Sequence, residues 1–331
     1  RVLRVSTSVV RMSASATRRD PLPWAARYRD AARSALLESI VPFWQRTIDA
    51  PRGGVFNCWN NAGTHLVSRD KFTWSQGRFL WLWSRLGEMS ARSTLDAAGH
   101  AFLPHAEKTA QFLEAHAFLE DGRCAFLLSE EGGVKEAIPG LGLAPSIYAD
   151  CFVMMGLAEF ACVRGDRARL DAAWRLFEHI ERRIAAGDAP LHPTHIPAGY
   201  EVYAMAMIAL NLTLVLCDAC ESLDDARFEM ACERRRAAAA LIFERFMLPD
   251  GTVMELLPAD ARAEDTLMTR HINPGHTLEG LWMLLTVAAR EQNHHWLARA
   301  HQAVRRALER GWDETHGGIL YYVDRDGDAP T

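Results

Sequence analysis

Apolar residues recur at helical spacing along almost the whole chain, and almost no run alternates apolar with polar positions as a half-buried strand would. Within residues 24–48, Tyr28, Ala31, Ala35, Leu36, Ile40, Phe43 and Trp44 fall on one stripe, which predicts an amphipathic helix. The same period predicts helices over residues 72–89, 95–118, 146–163, 168–184, 200–216, 226–246, 276–290 and 295–310. The first of these is dense in aromatics.

Every second connection between these helices is longer, carries glycine and reads as a hairpin: residues 49–56, 120–126, 187–190, 249–253 and 315–320. One glycine from each (Gly53, Gly122, Gly187, Gly251 and Gly317) gives steps of 69, 65, 64 and 66 residues. A near-constant step with two helices per unit is the mark of a helical-hairpin array. A unit this long, with a loop elaborated at one end, suits a closed α/α toroid better than a short-repeat solenoid. Six units need about 390 residues at this spacing, and the chain has 331. The expected fold is therefore all-α over residues 23–331: a toroid lacking most or all of its sixth helical hairpin, with short β-hairpins at one end. The long loops all leave that end, so a site is expected there.

Composition changes this picture little. The chain is 49% apolar and 24% charged, which is ordinary globular usage. Its formal charge of −5 makes no electrostatic case for nucleic acid or an anionic membrane. The longest apolar stretch, residues 203–217, is short for a bilayer and carries Asn211 and Thr213, so it reads as a buried helix. Seven scattered cysteines suit reduced thiols. Cys217 and Cys220 form a C-x-x-C with no second pair or nearby histidine to complete a zinc site, and no metal is expected. Residues 1–19 hold five arginines, many hydroxyl residues and no acid, the composition of a transit peptide or of an upstream extension. Residues 1–22 are set aside as disordered or presequence-like. The protein is placed in the cytoplasm, or in an organelle if residues 1–19 are a transit peptide.

Two stretches could carry chemistry. Pro274 and Gly275 open a helix that places His276 on its first turn and Glu279 one turn later on the same side, with Leu278, Leu281, Trp282 and Leu285 as an apolar backing. An imidazole and a carboxylate at a helix mouth suit acid/base work; equally, the histidine could cap the helix or bond locally. The second stretch is the aromatic helix. Trp74 and Arg78 share a face there, and Gln76 and Gly77 interrupt the apolar pattern. A glycine inside a helix costs about 1 kcal/mol relative to alanine and often marks a close approach. The face reads as a stacking surface with a guanidinium for a polyol or carbonyl oxygen, or as aromatic core with a snorkelling arginine.

Several of these residues resemble the N-acylglucosamine 2-epimerase family. The resemblance rests on Lys71-Phe72-x-Trp74-x-Gln76-Gly77-Arg78, on Asn273-Pro274-Gly275-His276-Thr277-Leu278-Glu279-x-x-Trp282, and on Gly311-Trp312-Asp313 followed by Gly317-Gly318-Ile319-Leu320-Tyr321. Tyr148-Ala149-Asp150-x-Phe152 and the helix from Ala204 to Leu212 are also similar, and the matches run in the family's order over residues 24–330.

The resemblance implies a six-unit α/α barrel and inversion of C2 of a sugar without a cofactor. It implies that a base removes the C2 proton from the open-chain form, that charge develops on O1, and that a proton returns to the opposite face. By the same resemblance His276 matches one of two histidines flanking the substrate, and the second lies in a unit beyond Thr331. Arg78 stabilises the oxyanion, and Glu279 orients His276. Glu255 and Arg270 pair at the rim, and Phe72, Trp74, Gln76, Tyr148 and Asp150 contact the sugar. The segment around Met205 looks like the N-acylglucosamine branch, because relatives acting on cellobiose and mannose carry a histidine-rich helix there. A homodimer and a nucleotide effector are implied by relatives only; no G-x-x-x-x-G-K-[ST] loop is present.

The expected partner is thus a small sugar, N-acetylglucosamine or N-acetylmannosamine. The alternatives are an aldose–ketose isomerase, a cellobiose or mannose 2-epimerase, a glycosidase using two of Asp150, Glu201, Glu255 and Glu279, and a non-catalytic binding protein of the renin-binding type.

Overall fold

A computed structural model describes residues 23–95, 101–260 and 265–327. The presequence reading of residues 1–22 lies outside the described residues. The chain divides into two compact units, one ending at Thr47 and one starting at Ile48.

In the first unit α1 (Pro23–Ser34) runs through a π-helical turn (Ala35–Ile40) into α2 (Val41–Gln45). Tyr28 and Ile40, from the predicted stripe, are exposed.

The second unit is built from antiparallel helix pairs. α3 (Thr73–Ala91) packs on α4 (Phe102–His116), α5 (Tyr148–Arg164) on α6 (Arg167–Ala185), and α7 (Tyr203–Ser222) on α8 (Phe228–Leu241), which ends in a π-helical turn (Ile242–Phe246). After the single turn of α9 (Leu267–Arg270), α10 (Pro274–Arg290) packs on α11 (His294–Gly311). The first helix of each pair forms an inner row, α3 on α5, α5 on α7 and α7 on α10. Sequence chemistry decides which helix lies inside. In α5 every residue from Ala149 to Ala161 is buried, as befits a helix apolar all round. α11, by contrast, buries only the small residues Ala300, Ala303, Ala307 and Gly311 and turns arginines outward. α7 is long and apolar enough to cross a bilayer on composition alone, but 78% of its apolar window is buried in the protein. It is a core helix.

Two inner helices approach closely because both lack a side chain at the crossing. A Cβ on Gly77 would sit 2.4 Å from the Phe152 carbonyl oxygen, and one on Gly156 would sit 2.6 Å from that of Gly77. The mid-helix glycine therefore marks the backbone of α5, not a ligand. The repeating glycines also have a local cause. Gly53, Gly122, Gly187, Gly251 and Gly317 have φ of 93, 84, 72, 89 and 72°, the left-handed region that residues with a Cβ rarely adopt. Gly122, Gly187, Gly251 and Gly317 each sit in the tight turn that follows a helix pair, and Gly53 sits in the turn after α2.

Short strands tie the entrances of the inner helices. β1 (Cys58–Trp59) pairs with β2 (Leu66–Ser68), and β3 (Lys71–Phe72), just before α3, pairs antiparallel with β4 (Leu127–Leu128). β4 in turn pairs with β5 (Val134–Lys135). β6 (Tyr200–Val202), just before α7, pairs with β7 (Leu256–Pro258), and β8 (His271–Ile272), just before α10, pairs with β9 (Val323–Asp324). Residues 200–202, predicted helical, are this strand instead: ladder bonds to β7 hold Val202 extended, and the helix starts at Tyr203.

The C-x-x-C cysteines are core residues. Cys217 Sγ lies 3.7 Å from Cys232 Sγ, and Cys220 accepts the indole N–H of Trp174 at 3.3 Å.

Candidate active site

The entrances of the four inner helices surround a cup of about 730 Å³. From α3 it is lined by Trp74, Arg78, Trp81 and Leu82, and from α5 by Tyr148, Phe152 and Met155. From α7 come Ala204, Met207, Ile208 and Asn211, and from α10 His276, Glu279, Trp282 and Met283. The hairpins at the mouth add Glu255, His271, Tyr321 and Tyr322. In each helix the lining positions fall three or four residues apart, so each shows one face to the cup.

The N-terminus of α10 places His276 through two local devices. Pro274 occupies the first turn, where its missing N–H is no loss, and the N-cap Asn273 side chain accepts the His276 backbone N–H at 3.0 Å. The imidazole Nδ1 then lies 2.9 Å from Oε1 of Glu255. Glu255 is itself buried, and its backbone is held on both sides: its carbonyl accepts the Tyr203 N–H at 2.9 Å and its N–H donates to the His271 carbonyl at 3.4 Å. A carboxylate here fixes the Nδ1–H tautomer and leaves Nε2 as the free base. The Glu255 hydrogen bond raises the His276 pKa above its ordinary value, against the burial that lowers it, and the charge of Glu279 adds to the rise.

Arg78 comes to the cup from α3. Its guanidinium stacks 3.8 Å above the Phe152 ring, and among the described residues no carboxylate pairs with it directly. It opens onto the cup, but the surrounding protein lowers its pKa by desolvation, partly offset by the charges of Glu279 and Tyr148. It remains a cation at any working pH. Tyr148 is held protonated, its pKa raised by burial first. The cup thus joins a base with a fixed tautomer, an uncommitted guanidinium and aromatic walls.

Of the residues singled out from the sequence, His276, Arg78, Glu279, Trp74, Tyr148 and Glu255 meet in this cup. The other four do not line it. Gln76 is buried and clamps the loop before α3, its Oε1 accepting the Val55 N–H at 2.8 Å and its Nε2 donating to the Val55 carbonyl at 3.0 Å. Asp150 is buried on the outward side of α5, accepting from the Cys124 N–H at 3.0 Å and from Arg183 at 3.2 Å. Burial raises its pKa to about 6. Phe72 packs edge-on against Phe126, ring centroids 5.4 Å apart.

Arg270 turns from Glu255 and pairs with Asp324 and Asp265, at 3.0 and 2.6 Å. The expected rim pair is therefore replaced, because β8 and β9 set Arg270 beside Asp324. Likewise Glu255, not Glu279, orients His276: Glu279 lies one turn along the same helix and acts on it by charge only. Trp282 belongs to the cup and not to the core, with 50% of its surface exposed.

Sequence reasoning passed over His271, Trp81, Asn211, Tyr321 and Tyr322. Trp81 lies two turns beyond Trp74, a spacing that marks the same face. His271 Nε2 is enclosed without a partner among the described residues, and its ring lies edge-on to that of Tyr322, centroids 3.8 Å apart.

Comparison with known proteins gives the family and the fold. The sequence matches the N-acylglucosamine 2-epimerase family (GlcNAc 2-epimerase) over residues 54–331, and the chain belongs to that family. It is 28% identical over 305 residues to the N-acylglucosamine 2-epimerase of Bos taurus, covering 89% of this chain and 68% of the relative. Its structure resembles that of a cellobiose 2-epimerase from Bacillus thermoamylovorans, with a TM-score of 0.66 at 17% identity over 91% of this chain and 77% of the other. It resembles a D-mannose isomerase equally, with a TM-score of 0.66 at 18% identity over 89% and 74%. The fold class is thus the α/α barrel type predicted from the spacing of the glycine turns.

Proposed function

We propose that this protein is a sugar 2-epimerase whose substrate is an N-acylhexosamine, interconverting the two C2 epimers through the enolate of the open-chain aldehyde. The observation that carries the reading is the Glu255–His276 pair, which leaves Nε2 of a raised-pKa imidazole facing a cup that also holds a guanidinium with no carboxylate partner among the described residues. In the open-chain sugar the C2–H is acidic because the C1 carbonyl accepts its electron pair. Nε2 of His276 takes the proton, the pair moves to O1, and Arg78 stabilises the oxyanion that forms. Return of a proton to the opposite face of C2 gives the epimer; with a hexose that carries a hydroxyl on C2, return of a proton to C1 with loss of the O2 proton gives a ketose instead. Family membership and the likeness to the Bos taurus enzyme support the N-acyl class of substrate.

The test is NMR in deuterated water with N-acetylmannosamine, mannose and cellobiose supplied separately. Deuterium entering C2 of N-acetylmannosamine together with the appearance of N-acetylglucosamine is the expected result. No exchange at C2 of any of the three sugars overturns the reading, and a ketose as sole product reassigns it to an isomerase.

A further inference from the structure

The cup is chemically stratified along its depth. Arg78, Glu255, His276 and Glu279 occupy its upper wall, within two turns of the helix entrances. Met283 lies seven residues beyond His276, roughly 10 Å further in at the rise of an α-helix. Two or more turns into their helices the walls are Leu82 of α3, Met155 of α5 and Met283 of α10, with Met207 a turn into α7 above them. One polar side chain interrupts this apolar floor: Asn211, two turns into α7. Its amide is half-buried, and among the described residues nothing hydrogen-bonds to it.

An uncommitted amide on a methionine floor is a poor receptor for a polyol. Each sugar hydroxyl buried against thioethers and methylenes without a partner costs free energy, and one amide cannot satisfy several. The arrangement matches a ligand group with a single amide and a small apolar end. Methionines suit that end because their flexible, polarizable side chains close around a methyl.

We propose that Asn211 and the floor around it form the subsite for the N-acyl substituent, and that Asn211 discriminates N-acylhexosamines from unsubstituted hexoses. This rests on the epimerase reading of the same cup. The sugar enters with its acyl group leading, the amide pairs with Asn211, the methyl rests on Met155 and Met283, and the hydroxyl-bearing tail stays toward the polar mouth. C2, which bears the substituent, then lies at the level of the charged upper wall.

Binding tests this without turnover, since Trp81 and Trp282 line the cup and report occupancy by fluorescence. N-acetylmannosamine and mannose are titrated into the wild type and into Asn211→Leu, which keeps the volume and removes the amide. The expected result is a dissociation constant for N-acetylmannosamine raised about tenfold in the variant, with that for mannose unchanged. Unaltered mannose binding also shows that the variant is folded.

Equal loss for both sugars, or no loss for either, overturns the proposal, because Asn211 would then read a hydroxyl common to both or nothing. Failure of the wild type to prefer N-acetylmannosamine over mannose overturns it too. Selective loss in Asn211→Leu without deuterium exchange in the wild type would leave the subsite standing and remove the epimerase reading.

Discussion

Nδ1 of His276 and Oε1 of Glu255 are 2.9 Å apart, and the two residues reach that distance from different elements of one repeat. The histidine is set by the N-cap of α10 and the glutamate by backbone bonds to Tyr203 and His271. The pair makes a sharp prediction for Glu255→Gln. An amide there can present its N–H to Nδ1 and favour the wrong tautomer, so kcat for C2 exchange should fall by about 10² or more. Because the Glu255 bond raises the His276 pKa, the acid limb of the pH–rate profile should also move to lower pH in the variant. A profile unchanged in position would show that His276 is not the titrating base.

Arg78 predicts a separation between binding and rate. Its guanidinium already sits over the Phe152 ring, 3.8 Å from the centroid, so a ground-state sugar gains little from it; the oxyanion gains much. Arg78→Lys keeps the charge and loses the planar fork, and Arg78→Met loses both. For Arg78→Met kcat should drop by about 10²–10³ with KM nearly constant, and Arg78→Lys should fall between it and the wild type. Steady-state kinetics on both variants read this out. A rise in KM alone would make Arg78 a binding residue only.

The legible part of the molecule was whatever repeats or is local. The glycine step fixed the helix pairs because a left-handed turn closes each repeat, and Pro274 with Asn273 marked the start of α10 because capping is a short-range effect. Pairing between elements was not legible. Glu255 and Glu279 are equally good partners for His276 on paper, and only the docking of β6 on β7, with the Tyr203–Glu255 backbone bond, decides between them. Asp150 and Gln76 sit in motifs beside true cup residues, but helix geometry turns them to the far side, where they hold the scaffold. Asn211 was dismissed as a polar interruption of a buried helix. Its face becomes visible only when α7 is placed beside α10.

Asp150→Ala should therefore damage stability and spare the substrate. The carboxylate is fully buried and answers Arg183 and the Cys124 N–H. Removing the carboxylate leaves the buried Cys124 N–H without its acceptor and the buried guanidinium with Asp188 alone, and breaking a buried pair in this way costs about 3–5 kcal/mol. Thermal unfolding at pH 8 should occur several degrees lower. KM, measured well below the melting range, should not move. A raised KM at unchanged Tm would return Asp150 to the sugar.

Glu159 gives a pH dependence of stability that lies away from the cup. It is buried near the C-terminal end of α5 beside Arg85 at 3.1 Å, with its other carboxylate oxygen lacking a partner among the described residues. Desolvation raises its pKa from 4.5 to about 7, the nearby charge of Arg85 notwithstanding. The folded state thus binds a proton more tightly than the unfolded state does. Stability from this group is fully present below pH 4.5 and is lost as pH rises through about 7, on the order of 3 kcal/mol in all. Glu159→Gln mimics the protonated form and removes the linkage. Between pH 5 and pH 8 the Tm of the wild type should fall relative to that of Glu159→Gln. Parallel Tm curves for the two proteins would mean that Glu159 stays ionised against Arg85 throughout.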